Sequence, residues 1–215
     1  MASTQSKKKL LAKSRLYVVI DKQVAGKLPV SNIADRIKHS GVDIIQLRDK
    51  SSKKEEVLRD SFLLHKSLAD TKIIFIINDY LDIAKAVDSD GVHLGQEDVP
   101  IPIARNILGK DKIIGISCHN LKEALRAQSE GADYLGIGPA FTTSTKPQAK
   151  KTISASLINK LKQKINIPFF VIGGINQDNI NKVVSAGVKR AAICNAILKA
   201  KNISREAKFF SGALK

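Results

Sequence analysis

The sequence predicts one α/β domain folded as a single (β/α)8 TIM barrel. Three observations lead there. Eight short runs rich in Ile and Val recur along the 215 residues, at 15–21, 43–49, 72–78, 90–96, 112–118, 133–139, 168–174 and 190–196. Each is apolar on both faces, as parallel strands covered by helices are. Finally, SGVDIIQL, SDGVHLG, EGADYLGIG and SAGVKRAAI all set a glycine just ahead of a strand, an internal echo of repeated βα units. The competing architecture, an open doubly wound sheet, uses fewer strands and a glycine-rich loop after the first. Here that loop reads DKQVAGKLP and has no GxGxxG.

Between the runs lie helix-like segments. SKKEEVLRDSFLLHKSLAD opens on Ser52 with Glu55 three residues on, the spacing of a capping box. NLKEALRAQSEG repeats that relation with Asn120 and Glu123 and closes at Gly131. QDNINKVVSAG closes at Gly187, a residue type suited to the left-handed end of a helix. No linker divides the chain. Residues 1–14, MASTQSKKKLLAKS, read as a mobile basic tail, and residues 15–215 as the barrel.

The net charge of +16 raises the question of nucleic acid. The excess lies in three places: residues 1–15, the stretch 146–164, and the end from Lys199 onward. Aromatic residues are not interleaved with these runs, so no stacking platform for bases is built. No nucleic-acid partner is expected; the basic field suits solubility and attraction of polyphosphate substrates. Apolar runs are too short to span a membrane, and no secretory segment opens the chain. Two cysteines and no CxxC predict reduced thiols, no zinc site and a cytoplasmic location. A homo-oligomer is compatible with the fold.

In a barrel, chemistry sits at the C-terminal strand ends. The second run ends QLRDK, where Gln46, Arg48 and Lys50 alternate toward one side, either a fork and a point charge for an anion or a strand fraying into a charged loop. The third ends Asn78–Asp79, and the fourth is followed by Glu97 and Asp98. Either acid suits a helix N-cap. As neighbours at one barrel mouth, Asp79 and Asp98 equally suit Mg²⁺. His93 reads as an interior histidine or a substrate contact. The fifth run brings Ser117, a small polar group, then Cys118 as an apolar filler and His119 as a loop residue. GPAFTTSTKPQAKK follows the sixth; its Thr143, Thr145 and Lys146 suit a phosphate on a closing loop, and the same composition equally suits a flexible surface loop. Gly173–Gly174 after the seventh lets backbone amides approach a ligand, and the eighth runs through Cys194–Asn195 into a helix.

Taken together, QLRDK, INDYLDIAKAVDSDGVHLGQED, IGISCHN, GADYLGIGPAFTTSTK and VIGGI resemble the thiamine-phosphate synthase family, in order and over about residues 15–198. The resemblance implies a transferase that joins 4-amino-2-methyl-5-pyrimidinylmethyl diphosphate to a thiazole phosphate, releasing pyrophosphate. By position, it implies that Gln46 and Asn78 contact the pyrimidine substrate. Arg48, Lys50 and Lys146 hold its diphosphate, and Asp79 and Asp98 bind Mg²⁺. Ser117 lies beside the leaving group. Thr143, Thr145 and Gly174, with the backbone at Cys194–Asn195, hold the thiazole phosphate. Two departures bear on that last pocket: Ser154 stands where the family has a glycine, and Asn195 where it commonly has a serine. The alternative within the same superfamily is a sister group that resembles this family but acts as a thiazole tautomerase or a regulatory phosphate-ligand-binding barrel. It typically lacks the full diphosphate and metal set, which is complete here. A non-catalytic RNA-associated protein using the basic ends is the reading from a different class.

Overall fold

The computed structural model describes residues 4–142 and 152–215. Eight parallel strands follow one another in chain order and close into a barrel: β1 Leu16–Asp21, β2 Ile44–Arg48, β3 Ile74–Asn78, β4 Gly91–Leu94, β5 Ile113–Cys118, β6 Tyr134–Ile137, β7 Phe169–Ile172 and β8 Ala191–Ile193. Every one falls inside a predicted run. β1 pairs with β8 through Leu16–Ala191 and Tyr17–Ala192, which seals the cylinder.

The helices are α1 Thr4–Lys13, α2 Lys22–Ala25, α3 Val30–Ile37, α4 Lys54–Leu68, α5 Leu81–Ala86, α6 Ile101–Leu108, α7 Leu121–Ser129, α8 Ala155–Lys164, α9 Ile180–Ser185, α10 Asn195–Leu198 and α11 Ile203–Ala213. The Asn120–Glu123 pair caps α7, but its return bond reaches the residue before the N-cap and not the N-cap amide of a capping box. Asn120 accepts from the Glu123 amide at 2.9 Å, and Glu123 accepts from the His119 amide at 2.7 Å. The box expected at Ser52 does not form. The Ser51 and Ser52 amides both donate to Asp49 Oδ1, and α4 starts after Lys53 with no side-chain cap. Asp49 sits closer to those amides than Glu55 can, and it takes over the turn.

Two apolar layers hold the barrel. Val18, Ile45, Phe75, Val92 and Ile114 face outward beneath the helices. Tyr17, Ile44, Ile74, Ile113, Tyr134 and Phe170 fill the interior. Gly115 makes that interior possible, because a Cβ there would lie 2.0 Å from the Tyr134 ring. The inner rings meet edge to face, Tyr17 on Phe170 at 5.4 Å and Tyr134 on Phe170 at 5.8 Å, the favoured geometry for aromatic pairs.

The N-terminal segment corrects the expectation of a mobile tail. Residues 4–13 form α1, and Leu10 and Leu11 pack against the inner apolar layer, Leu11 at 3% exposure. Lys7 Nζ donates to the Ile73 carbonyl at 2.9 Å and pairs with Asp90 at 3.0 Å; Lys8 pairs with Asp133 at 2.8 Å. All these partners sit at or just before the starts of strands, so α1 covers the end of the barrel opposite the chemistry. Its lysines are anchors as well as solubilising charges. We expect removal of residues 1–14 to lower the melting temperature by about 5–10 °C, since burial of Leu11 alone contributes about 2 kcal/mol. A thermal melt unchanged by the truncation restores the tail.

Candidate active site

A cavity of about 390 Å³ opens among the C-terminal strand ends. Gln46 and Arg48 enter it from β2, Asn78 from β3, His93 from β4 and Ser117 from β5. Gly174, Cys194 and Asn195 border it from the segments after β7 and at the end of β8. The sequence-predicted residues Gln46, Arg48, Asn78, Ser117, Gly174, Cys194 and Asn195 therefore share one space. Strand pairing explains much of this: Asn78 lies beside His93, and Ser117 beside Gly136. The floor is apolar, with Tyr17, Val19, Phe170, Ile172 and Ala192. It suits flat rings, while the polar wall and the arginine suit an anion. Gly174 has φ +65°, and a Cβ there would meet the Thr142 carbonyl oxygen at 2.4 Å, so the segments after β6 and β7 pack directly on one another.

Lys50, Asp79 and Asp98 are not part of the cavity wall. The alternation expected to send Lys50 inward stops because β2 ends at Arg48 and a turn begins at Asp49. Lys50 Nζ instead meets Asp79 Oδ2 at 2.9 Å, half exposed. The capping reading of the two acids fails. α5 starts after Tyr80 and α6 after Pro100, neither with a side-chain cap. Asp98 accepts from the Gly95 amide at 2.6 Å, and Asp79 adopts φ +64°, a left-handed conformation that a non-glycine residue takes up at a cost. Its amide is tied to the His93 carbonyl at 3.0 Å. The two carboxyl groups are close enough to hydrogen-bond. Burial, followed by the Asp98 carboxylate, raises the pKa of Asp79 above the usual range, against the opposing pull of Lys50. Two neighbouring carboxylates are the donor type that a hard divalent cation takes, and such an ion would offset both charges. Thr143, Thr145 and Lys146 lie outside the described residues.

The structure adds groups that sequence reading passed over. Tyr17 and Tyr134 hydroxyls meet at 2.9 Å. Tyr134 reaches His93 Nδ1 at 3.0 Å, and His93 Nε2 reaches the Ser117 hydroxyl at 2.9 Å. This chain runs from the barrel interior to the cavity. His93 is thus both packed and exposed to ligand, the two readings left open for it. His119 lies in the loop after β5, as expected; its Nδ1 donates to the Gly138 carbonyl at 2.7 Å and the ring lines the cavity. Burial pushes the Cys118 and Cys194 thiols up to about 12, so neither is an activated nucleophile. Ser154, one of the two departures, caps α8 by accepting from the Leu157 amide at 3.1 Å. Asp21, at the end of β1, grips Arg48. Its signal was available, since the first run ends in an acid just as the third does.

The model of thiamine monophosphate synthase matches residues 16–197. The chain belongs to that family. A thiamine-phosphate synthase from Shouchella clausii is 42% identical over 88% of this chain and 90% of its own length. One from Clostridioides difficile is 41% identical over 96% of each. The solved thiamine phosphate pyrophosphorylase from Pyrococcus furiosus superposes with a TM-score of 0.85 at 34% identity, covering 95% of this chain and 97% of that one. As a family member, the chain is a transferase of the thiamine-phosphate synthase type. The synthase fold accounts for the closed barrel and for the site at its C-terminal mouth.

Proposed function

We propose that the protein couples 4-amino-2-methyl-5-pyrimidinylmethyl diphosphate to a thiazole phosphate, giving thiamine phosphate and pyrophosphate. One observation carries this reading: a guanidinium and polar strand ends line a single cavity with an apolar floor, and a carboxylate pair stands just outside its wall, Asp79 directly following the cavity residue Asn78. Asp79 and Asp98 would hold Mg²⁺. When bound, the ion offsets negative charge on the departing diphosphate.

The chain's own residues do the rest. Arg48, Lys50 and Lys146 bind the diphosphate and stabilise its charge as the C–O bond breaks. Gln46 and Asn78 orient the pyrimidine, whose ring stabilises the benzylic-type cation left behind. Ser117, oriented by His93, lies beside the leaving group. Thr143, Thr145 and Gly174, with the backbone at Cys194–Asn195, hold the thiazole phosphate so that the ring nitrogen adds to that cation. One C–O bond breaks and one C–N bond forms. No protein nucleophile is required, in keeping with the raised thiol pKa values.

The small-molecule chemistry and two free cysteines suit a cytoplasmic enzyme. The direct test mixes purified protein with both substrates and Mg²⁺ and looks for thiamine phosphate by chromatography; no product ends the proposal. We expect Lys146→Ala to slow diphosphate departure more than thiazole binding. An unchanged single-turnover rate removes Lys146 from that role.

A further inference from the structure

Asp21 is an acid 2% exposed that does not line the cavity. It lies directly beside Arg48 in the β1–β2 register. Oδ2 forms an ion pair with Arg48 Nη1. Oδ1 accepts from the Gln23 amide at 3.0 Å and the Val24 amide at 3.3 Å, capping α2. Both carboxylate oxygens are thus committed, and the group cannot swing away. The next residue, Lys22, pairs with Asp60 on α4, which fixes α2 from its other side.

Arg48 is left with an unused edge. Its Nε is buried and has no hydrogen-bond partner among the described residues. In a guanidinium, Nε–H and one Nη2–H point the same way and grip two oxygens of a phosphate at once. A carboxylate this close also weakens the arginine's net attraction for an anion, so charge alone does not account for it.

We propose that Asp21 is a positioning residue, holding Nη1 from behind so that the Nε–Nη2 edge of Arg48 is presented to the substrate diphosphate. This rests on the synthase reading of the site. A misplacement of about 1 Å in such a group costs on the order of a hundredfold in rate.

The test compares Asp21→Asn, Arg48→Met and the double variant. Asparagine still caps a helix but turns an amide donor toward the guanidinium. We expect Asp21→Asn to lower kcat/KM by about 10- to 100-fold, with a melting temperature near that of the parent. Inorganic pyrophosphate, titrated calorimetrically with Mg²⁺, should bind about tenfold more weakly. The double variant should be no worse than Arg48→Met within about threefold, because Asp21 acts through the arginine. Additive losses, or tighter pyrophosphate binding in Asp21→Asn, overturn the proposal. If Asp21→Asn does not fold, Asp21→Glu keeps the charge but shifts it by one methylene; parental kcat/KM in that variant overturns the proposal equally. Absence of thiamine phosphate from the parent enzyme refutes the synthase reading instead, and the pyrophosphate titration still reports on Asp21.

Discussion

Asp79→Ala and Asp98→Ala each lower turnover by on the order of a thousandfold while leaving the melting temperature within a few degrees of the parent. The two acids stand at the rim and hold up no helix, since α5 and α6 begin without them. Their removal therefore spares the fold. In Asp79→Ala it also frees Lys50 from its 2.9 Å ion pair, an exposed contact worth little to stability. The loss should appear in kcat at saturating substrate, measured across a Mg²⁺ titration. Weak binding that excess metal rescues points to a lost ligand. Near-parental activity at ordinary Mg²⁺ in either variant removes that acid from the metal site. A thermal melt or circular-dichroism trace on the same samples separates this from misfolding.

Arg48→Met costs on the order of a hundred- to a thousandfold in kcat/KM, the range found when one charge-stabilising donor is removed from a transition state. Methionine keeps the length of the stem, so the wall of the cavity survives. What goes is the forked donor that the proposed mechanism assigns to the diphosphate. The loss should fall on both kcat and the KM for the pyrimidine diphosphate, with the KM for the thiazole phosphate little changed. An equal effect on both substrates places Arg48 somewhere other than beside the diphosphate. This variant also leaves Asp21 as a buried, unpaired carboxylate, which lowers stability. Activity must therefore be read well below the melting transition.

The barrel was readable because its strands are covered on both faces, which forces continuous Ile and Val runs such as KIIFIIN and KIIGISC. The polar ends of those runs were readable for the converse reason. Polar side chains at Gln46, Asn78 and Ser117 interrupt an otherwise apolar pattern only where the strands open to the mouth. What stayed hidden depends on shape rather than pattern. SKKKLLAK carries two leucines in a sea of lysine, too little for a periodicity, and only the open end of a barrel gives them somewhere to go. The left-handed backbone of Asp79 is set by its tie to His93 on the neighbouring strand, a contact no local signal announces. Ser52 shows the limit of spacing rules. Its capping box matched in the sequence, yet the nearer Asp49 carboxylate claimed the same turn. Lys50 shows another, since alternation holds only as long as the strand does.

The chain has no tryptophan and three tyrosines, two of which are hydrogen-bonded to each other at the cavity floor. Ultraviolet emission from this protein is therefore dominated by phenols, and most of them line the cavity where the proposed pyrimidine substrate would rest. Quenching of that glow on mixing gives a label-free optical readout of occupancy, fast enough for stopped-flow work and needing no engineered dye.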